Sequence, residues 1–175
     1  EQIFIPLDNE ELRLAGAAGI FERTLYDEHH EPQPPEKIYT IKPYMKTEVT
    51  ALSIGDFAIV GVPGELYPEL ALEDPDGTRY YQDPQDPGAD FLGTPCSVPI
   101  EHHLRAAGYS MWVVLGLAND ELGYIIPKCQ FDREPPYCYG RDSPQYGEEL
   151  SVGPEAAPLV VEAAARAISA VTEEY

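Results

Sequence analysis

Two near-continuous apolar runs limit what this chain can fold into. Phe57-Ala58-Ile59-Val60-Gly61-Val62 and Met111-Trp112-Val113-Val114-Leu115-Gly116-Leu117 hold no charged residue and no proline. A short run of this kind, rich in β-branched residues, reads as a strand buried on both faces, and such strands belong to sheets with helices packed against them. Each run ends in turn chemistry followed by oxygen-bearing side chains. Val62-Pro63-Gly64-Glu65 closes the first, and Ala118-Asn119-Asp120-Glu121-Leu122-Gly123-Tyr124 follows the second. Strand exits are where an α/β scaffold builds a site.

The remaining elements are arranged around these strands. Asp8-Asn9-Glu10-Glu11 reads as a capped helix start, with Asp8 as the cap and Glu11 at the reciprocal position. Small residues Ala15, Gly16, Ala18 and Gly19 then suit close packing on a sheet. Residues 28–36 (EHHEPQPPE) form a Pro-rich loop. Strand-like runs follow at 37–42, 48–54 and 57–62, the last two joined by the hairpin signal Gly55-Asp56. A short helix is expected over 66–72, starting just after Glu65.

Residues 73–95 are an acidic loop insertion in which Asp74, Asp76, Asp83, Asp86 and Asp90 alternate with prolines and glycines. The spacing lacks the calcium-loop pattern of regularly placed acids and a distal Glu, so it reads as a solvated loop able to rim a pocket. Ser97-Val98-Pro99-Ile100 opens a helix that runs to Ala107 and is closed by Gly108. A turn-rich stretch carrying Tyr137, Tyr139 and Tyr146 leads to Gly153-Pro154, which starts a last helix with Val160, Ala164, Ile168 and Val171 along one face. The order predicts an α/β (mixed α+β) fold, a mixed β-sheet covered by helices, in a single domain over 1–175.

The formal charge of −20 narrows the partners. It argues against nucleic-acid binding through phosphate neutralisation and against adhesion to an anionic membrane. Only Lys37, Lys42, Lys46 and Lys128 supply ammonium groups. The charge reads as a solubility device suited to screening by salt. No apolar run is long enough for a transmembrane segment and no signal peptide is visible. The chain opens on Glu1 and not on Met, which leads us to expect a processed or excised piece of a longer protein. Its compartment, extracytoplasmic or cytoplasmic, stays open. Cys96, Cys129 and Cys138 form no CxxC pair; Cys129 and Cys138 flank a Pro-Pro turn, where either a disulfide or two reduced thiols would fit.

Glu65 follows a Pro-Gly turn and has two readings: a metal ligand or general base, or a first-turn helix carboxylate held by the macrodipole. Tyr124 is a core phenol unless a divalent cation makes loss of its proton favourable. The triplets Glu28-His29-His30 and Glu101-His102-His103 invite a metal reading. Adjacent histidines on a helix point apart, however, so each pair offers at most one imidazole. Nucleophile-elbow, dinucleotide and Walker motifs are absent.

Taken together, Val60-Gly61-Val62-Pro63-Gly64-Glu65, Gly116-Leu117-Ala118-Asn119 through Gly123-Tyr124, then Tyr146 and Gly153-Pro154, resemble the carboxy-terminal part of the catalytic domain of neutral/alkaline (non-lysosomal) ceramidases. The likeness spans roughly residues 45–170 and is closest to a short ceramidase-like branch. It implies a zinc-dependent amide (N-acyl) hydrolase whose metal is held by two upstream histidines together with Glu65 and Tyr124. Tyr146 falls at the position of an oxyanion-stabilising tyrosine, with a one-residue spacing difference before Gly153-Pro154. Zn2+ would polarise an amide carbonyl and acidify bound water. The implied partners are the upstream part of the same protein and a small-molecule N-acyl amide or lipid substrate. Departures are also present. Gly64-Glu65 is followed by Leu66-Tyr67-Pro68 where longer relatives carry Phe-Thr-Thr, and the 73–95 insertion is foreign to them. By this reading the chain alone holds half a zinc site. The competing expectation is a non-catalytic acidic domain for binding or oligomerisation, whose Glu65 and Tyr124 oxygens would lie too far apart to share an ion.

Overall fold

The computed structural model describes residues 1–173. In chain order the elements are β1 (Gln2–Pro6), α1 (Glu10–Ala17), β2 (Leu25–Tyr26), β3 (Pro32–Gln33), β4 (Tyr44–Glu48), β5 (Thr50–Ile54), β6 (Phe57–Gly61) and β7 (Glu65–Leu66). They continue with α2 (Pro68–Ala71), α3 (Ile100–Ala106), β8 (Met111–Leu115), β9 (Tyr124–Ile125), α4 (Tyr146–Glu149) and α5 (Ala156–Glu173). The class is α/β, but the strands divide among three sheets. One is antiparallel in the order β1-β4-β2-β3, one is mixed in the order β5-β6-β8, and β7 and β9 form a two-stranded parallel ladder. Helix α5 packs across β5 and β1, and so ties the first two sheets into one core.

The hydrophobic pattern accounts for most of this. Ile3 and Ile5 alternate inward along β1, and Ala58 and Val60 along β6 are buried in the same core. Val160, Ala164 and Ile168 of α5 are buried at helical spacing, as their periodicity requires. The Gly55-Asp56 hairpin forms, pairing Ile54 with Phe57 and Leu52 with Ile59. No helix among the described residues is long and apolar enough to cross a membrane.

Five local expectations are corrected. Residues 37–42 are not a strand: Pro35–Thr40 is a 3-10 helix with Ile38 its one buried side chain, because the preceding prolines fix a helical entry. The cap of α1 is Asn9, not Asp8. The Asn9 side chain accepts from the Leu12 amide at 3.1 Å and donates to the Glu149 and Ser151 carbonyls at 2.8 and 2.9 Å. Asn can do both where Asp cannot. The disulfide joins Cys96 to Cys129, with a Cα separation of 5.1 Å, and Cys138 is a buried free thiol. Burial, and then the Asp132 carboxylate, push that thiol up to about 12. Glu65 lies in a strand rather than in the first turn of a helix, which begins only at Pro68. Finally, β6 is covered on one face alone: Ala58 and Val60 are buried, while Phe57 and Ile59 on the other face are only half-buried.

The acidic insertion is folded. Its start is clamped to α3, where the nearly buried Glu73 meets Arg79 at 3.2 Å, His102 at 3.0 Å and Arg105 at 3.6 Å. Its carboxylates close turns: Asp76 accepts from the Thr78 amide, Asp86 from Gly88, and Asp90 from Arg133. Alternation of Asp with Gly and Pro is thus turn chemistry.

Candidate functional site

The site is built by two strand exits that lock together. Strands β6 and β8 run parallel with Phe57 opposite Met111 and Gly61 opposite Leu115, so both chains leave the sheet at the same end. Beyond that end the backbones remain joined. Val62 donates to Leu115 at 2.9 Å, Leu117 to Gly64 at 3.0 Å, Ala118 to Val62 at 3.0 Å and Leu122 to Pro63 at 2.8 Å. Glu65 then donates to Gly123 at 2.9 Å and Tyr67 to Ile125 at 3.1 Å. Glycine permits this approach. A Cβ on Gly64 would lie 2.5 Å from the Gly123 carbonyl oxygen, and Gly123, at φ +75°, sits against the Leu150 carbonyl.

The outcome is a ladder in which Glu65 and Tyr124 are direct partners. Neighbouring strands lie about 4.8 Å apart and paired residues project to the same side, so the carboxylate and the phenol share one face. The Glu65 carboxylate is within hydrogen-bonding reach of the Tyr124 hydroxyl; that contact, with some desolvation, raises the phenol pKa. Glu65 is solvent-exposed, and among the described residues it has no cationic partner. Tyr146, at the start of α4, sets its ring 5.8 Å from that of Tyr124 at an angle of 73°. All three candidate residues therefore come together.

A third ring, which the sequence did not single out, completes the wall. Tyr67 packs edge-on against Tyr124 at 6.2 Å, and burial, with the Glu148 and Glu69 carboxylates nearby, lifts its hydroxyl to about 12. The alternation Glu65-Leu66-Tyr67 carried the signal, since residues two apart on a strand share a face. Glu148 is fully buried behind these rings, with one carboxylate oxygen unpartnered, and burial raises it to about 7. Beside Tyr67 is a cavity of about 140 Å³ lined also by Glu69, Gln82, Cys138, Tyr139 and Gln145. Glu65 and Tyr146 instead face open solvent.

Asn119 and Asp120 have a structural role. Asn119 donates to Thr50 at 3.0 Å, and Asp120 receives Arg23 at 2.9 Å and Thr47 at 2.7 Å. Burial acts to raise the Asp120 pKa, but those two hydrogen bonds win and lower it. Neither Glu-His-His triplet joins the site. His30 stacks on Phe4 at 3.8 Å and His102 pairs with Glu73.

Zinc is the ion the ceramidase resemblance implies; the Glu65 carboxylate is an ordinary donor type for it, whereas a tyrosine phenol is not among its usual ligands. Among the described residues no three His, Cys, Asp or Glu side chains converge on one point. No protein family, curated protein or solved structure matches the chain.

Proposed function

We propose that this chain is the carboxy-terminal portion of a ceramidase-like, zinc-dependent N-acyl amide hydrolase. Glu65 and Tyr124 are ligands, and imidazoles from the upstream part of the same protein complete the site. The observation that carries the reading is the pairing of Glu65 with Tyr124 in the β7–β9 ladder. Residues remote in the chain are brought into register, with their oxygens on one face and with backbone hydrogen bonds fixing them there. Zinc bound at that pair supplies Lewis acidity toward an amide carbonyl.

The chain's own groups have separate tasks. Glu65 provides the anionic ligand. Tyr124 would supply a second oxygen donor, its hydroxyl beside the Glu65 carboxylate. Tyr146, exposed and one ring away from Tyr124, is the proposed donor of a proton to charge developing on a carbonyl oxygen. Tyr67 backs Tyr124 and restricts its rotation. An N-acyl amide, free or as part of a lipid, is the substrate class.

The test uses the parent polypeptide that includes the upstream histidines. Glu65→Ala is expected to abolish bound zinc and to lower N-acyl amide hydrolysis by at least a hundredfold, roughly the effect of losing a stabilising site group. Zinc content and hydrolysis equal to those of the unmodified parent would overturn the assignment.

A further inference from the structure

The cavity beside Tyr67 has a chemistry that the Glu65–Tyr124 pair does not use. Three segments wall it: α2, the acidic insertion and the stretch from Ile126 to Gln145. The chain itself fixes their positions. The Gln85 side chain donates to the Cys129 carbonyl at 2.7 Å and accepts from the Gly93 amide at 2.8 Å. The Asp86 carboxylate accepts from the Gly88 amide at 2.8 Å and from the Tyr139 amide at 3.3 Å, and the Tyr139 hydroxyl donates to the Gln82 side chain. The Cys96–Cys129 disulfide ties down the same wall. A lining held by its own framework binds a ligand without the cost of being ordered first.

One lining group is left over. Glu69 makes no hydrogen bond or ion pair among the described residues, although its Oε2 is buried. A buried carboxylate oxygen in that state costs free energy until a donor or a cation meets it. Among the described residues, none of the lining side chains is cationic, and Asp86 adds a second carboxylate. Arg141, whose charge reaches Tyr67, is engaged by Asp132 and by the Cys138 carbonyl at 3.1 Å. The net charge of −20 adds to the same negative field. The Tyr67 hydroxyl, also without a hydrogen bond among the described residues, is a further acceptor, while Ala89, Ile126 and Cys129 add buried apolar surface. The volume of about 140 Å³ is close to the ~150 Å³ of a cavity that accepts benzene.

We propose that this cavity is a binding site for a small primary organic ammonium ion, whose N–H groups meet Glu69 and the Tyr67 hydroxyl while its alkyl part lies against Ala89 and Ile126. An inorganic cation would leave the apolar part of the lining unused, and a neutral or anionic molecule would leave Glu69 without a counter-charge. Glu65 and Tyr124 do not line the cavity, so a ligand here leaves that pair free.

The test follows the side-chain amide NMR signals of Gln82 and Gln130, both of which line the cavity, while the 175-residue chain is titrated with butylammonium. Saturable shifts of both signals are expected, with a Kd lower by about tenfold or more than that of 1-butanol, which has the same length without the charge. Glu69→Gln keeps the shape and removes the charge. It should raise the butylammonium Kd by about tenfold or more while the dispersed spectrum of a folded chain is retained. Tetrabutylammonium has the same charge but is too bulky for the cavity, and should shift neither signal. Butanol bound as tightly as butylammonium would overturn the proposal, as would an unchanged Kd in folded Glu69→Gln. Equal shifts from tetrabutylammonium or potassium chloride would overturn it too, marking attraction to an acidic surface, and so would the lack of any saturable shift, which marks a cavity that holds water only. The probe series on the unmodified chain is decisive by itself, whether or not the variant folds.

Discussion

Glu65 and Tyr124 meet because their backbones pair, and that pairing does not depend on their side chains. Glu65→Ala and Tyr124→Phe should therefore leave the stability of the chain within about 0.5 kcal/mol by thermal unfolding, as for surface substitutions elsewhere. A much larger loss would mean that the pair is structural. Gly64 is the opposite case. A methyl group there meets the Gly123 carbonyl oxygen at 2.5 Å, so Gly64→Ala should cost about 2–3 kcal/mol in a urea melt and loosen the site with it. Glu148 predicts a pH dependence. Its carboxyl is raised to about 7 from an ordinary 4.5 by burial, so the folded state binds its proton more tightly than the unfolded state. The stability this contributes is complete below about pH 4.5 and is lost as pH rises through 7, amounting to roughly 2–3 kcal/mol. Glu148→Gln should flatten the fall in denaturation midpoint between pH 5 and 8; an unchanged slope would place the titration elsewhere. Glu65 and Tyr124 were legible as oxygen-bearing residues because turn chemistry and apolar runs announce strand exits, whereas Tyr146 was singled out only by the family resemblance. The anchoring roles of Asn119 and Asp120 were not, since their partners Thr50, Thr47 and Arg23 are distant in sequence.

Among the elements, those with strong periodicity were readable and those defined by long-range partners were not. The β5–β6 hairpin, α3 and α5 follow from alternation, helical spacing and Gly55 or Gly108 as punctuation. β1 went unrecognised because Gln2–Pro6 is short and ends in proline; it is a strand only because β4 pairs with it from Gln2 opposite Glu48 to Pro6 opposite Tyr44. The cap of α1 was misplaced by one residue for a related reason. Asn9 is selected by the Glu149 and Ser151 carbonyls of a distant segment as much as by its own helix. Asn9→Ala should accordingly cost more than a cap alone, about 2–4 kcal/mol in denaturant, since two buried acceptors lose their donor. Asn9→Asp should recover little of it, because a carboxylate keeps the cap and repels the carbonyls. The Cys96–Cys129 bridge could not be chosen from spacing, three cysteines allowing three pairings. It closes a separation of 33 residues that holds α3, β8 and β9, just past the acidic insertion. Loop entropy assigns it ~3–4 kcal/mol, so reduction should lower the denaturation midpoint accordingly without unfolding the β6–β8 core.

At the scale of the whole molecule, two opposing electrostatic effects meet. The net charge of −20 repels itself, and that repulsion weakens the compact state. Against it stand local pairs such as Arg23–Asp120 and Arg141–Asp132, whose partners are partly or wholly buried. Salt acts on the two unequally. The Debye length falls from roughly 30 Å at 0.01 M to about 10 Å at 0.1 M, which screens distant surface charges but barely reaches contacts inside the protein. The melting temperature should therefore rise between 10 mM and 500 mM NaCl; a fall would mean that the exposed pairs outweigh the repulsion. Calcium should add nothing specific through the acidic insertion. Asp76 and Asp86 are already committed to the amides of Thr78 and Gly88, which hold both carboxyls below the usual range. To recruit them a cation would have to replace hydrogen bonds that close the turns. Melting curves in CaCl2 and NaCl matched for ionic strength should then superimpose, whereas a rise confined to micromolar calcium would show the insertion to be a calcium loop after all.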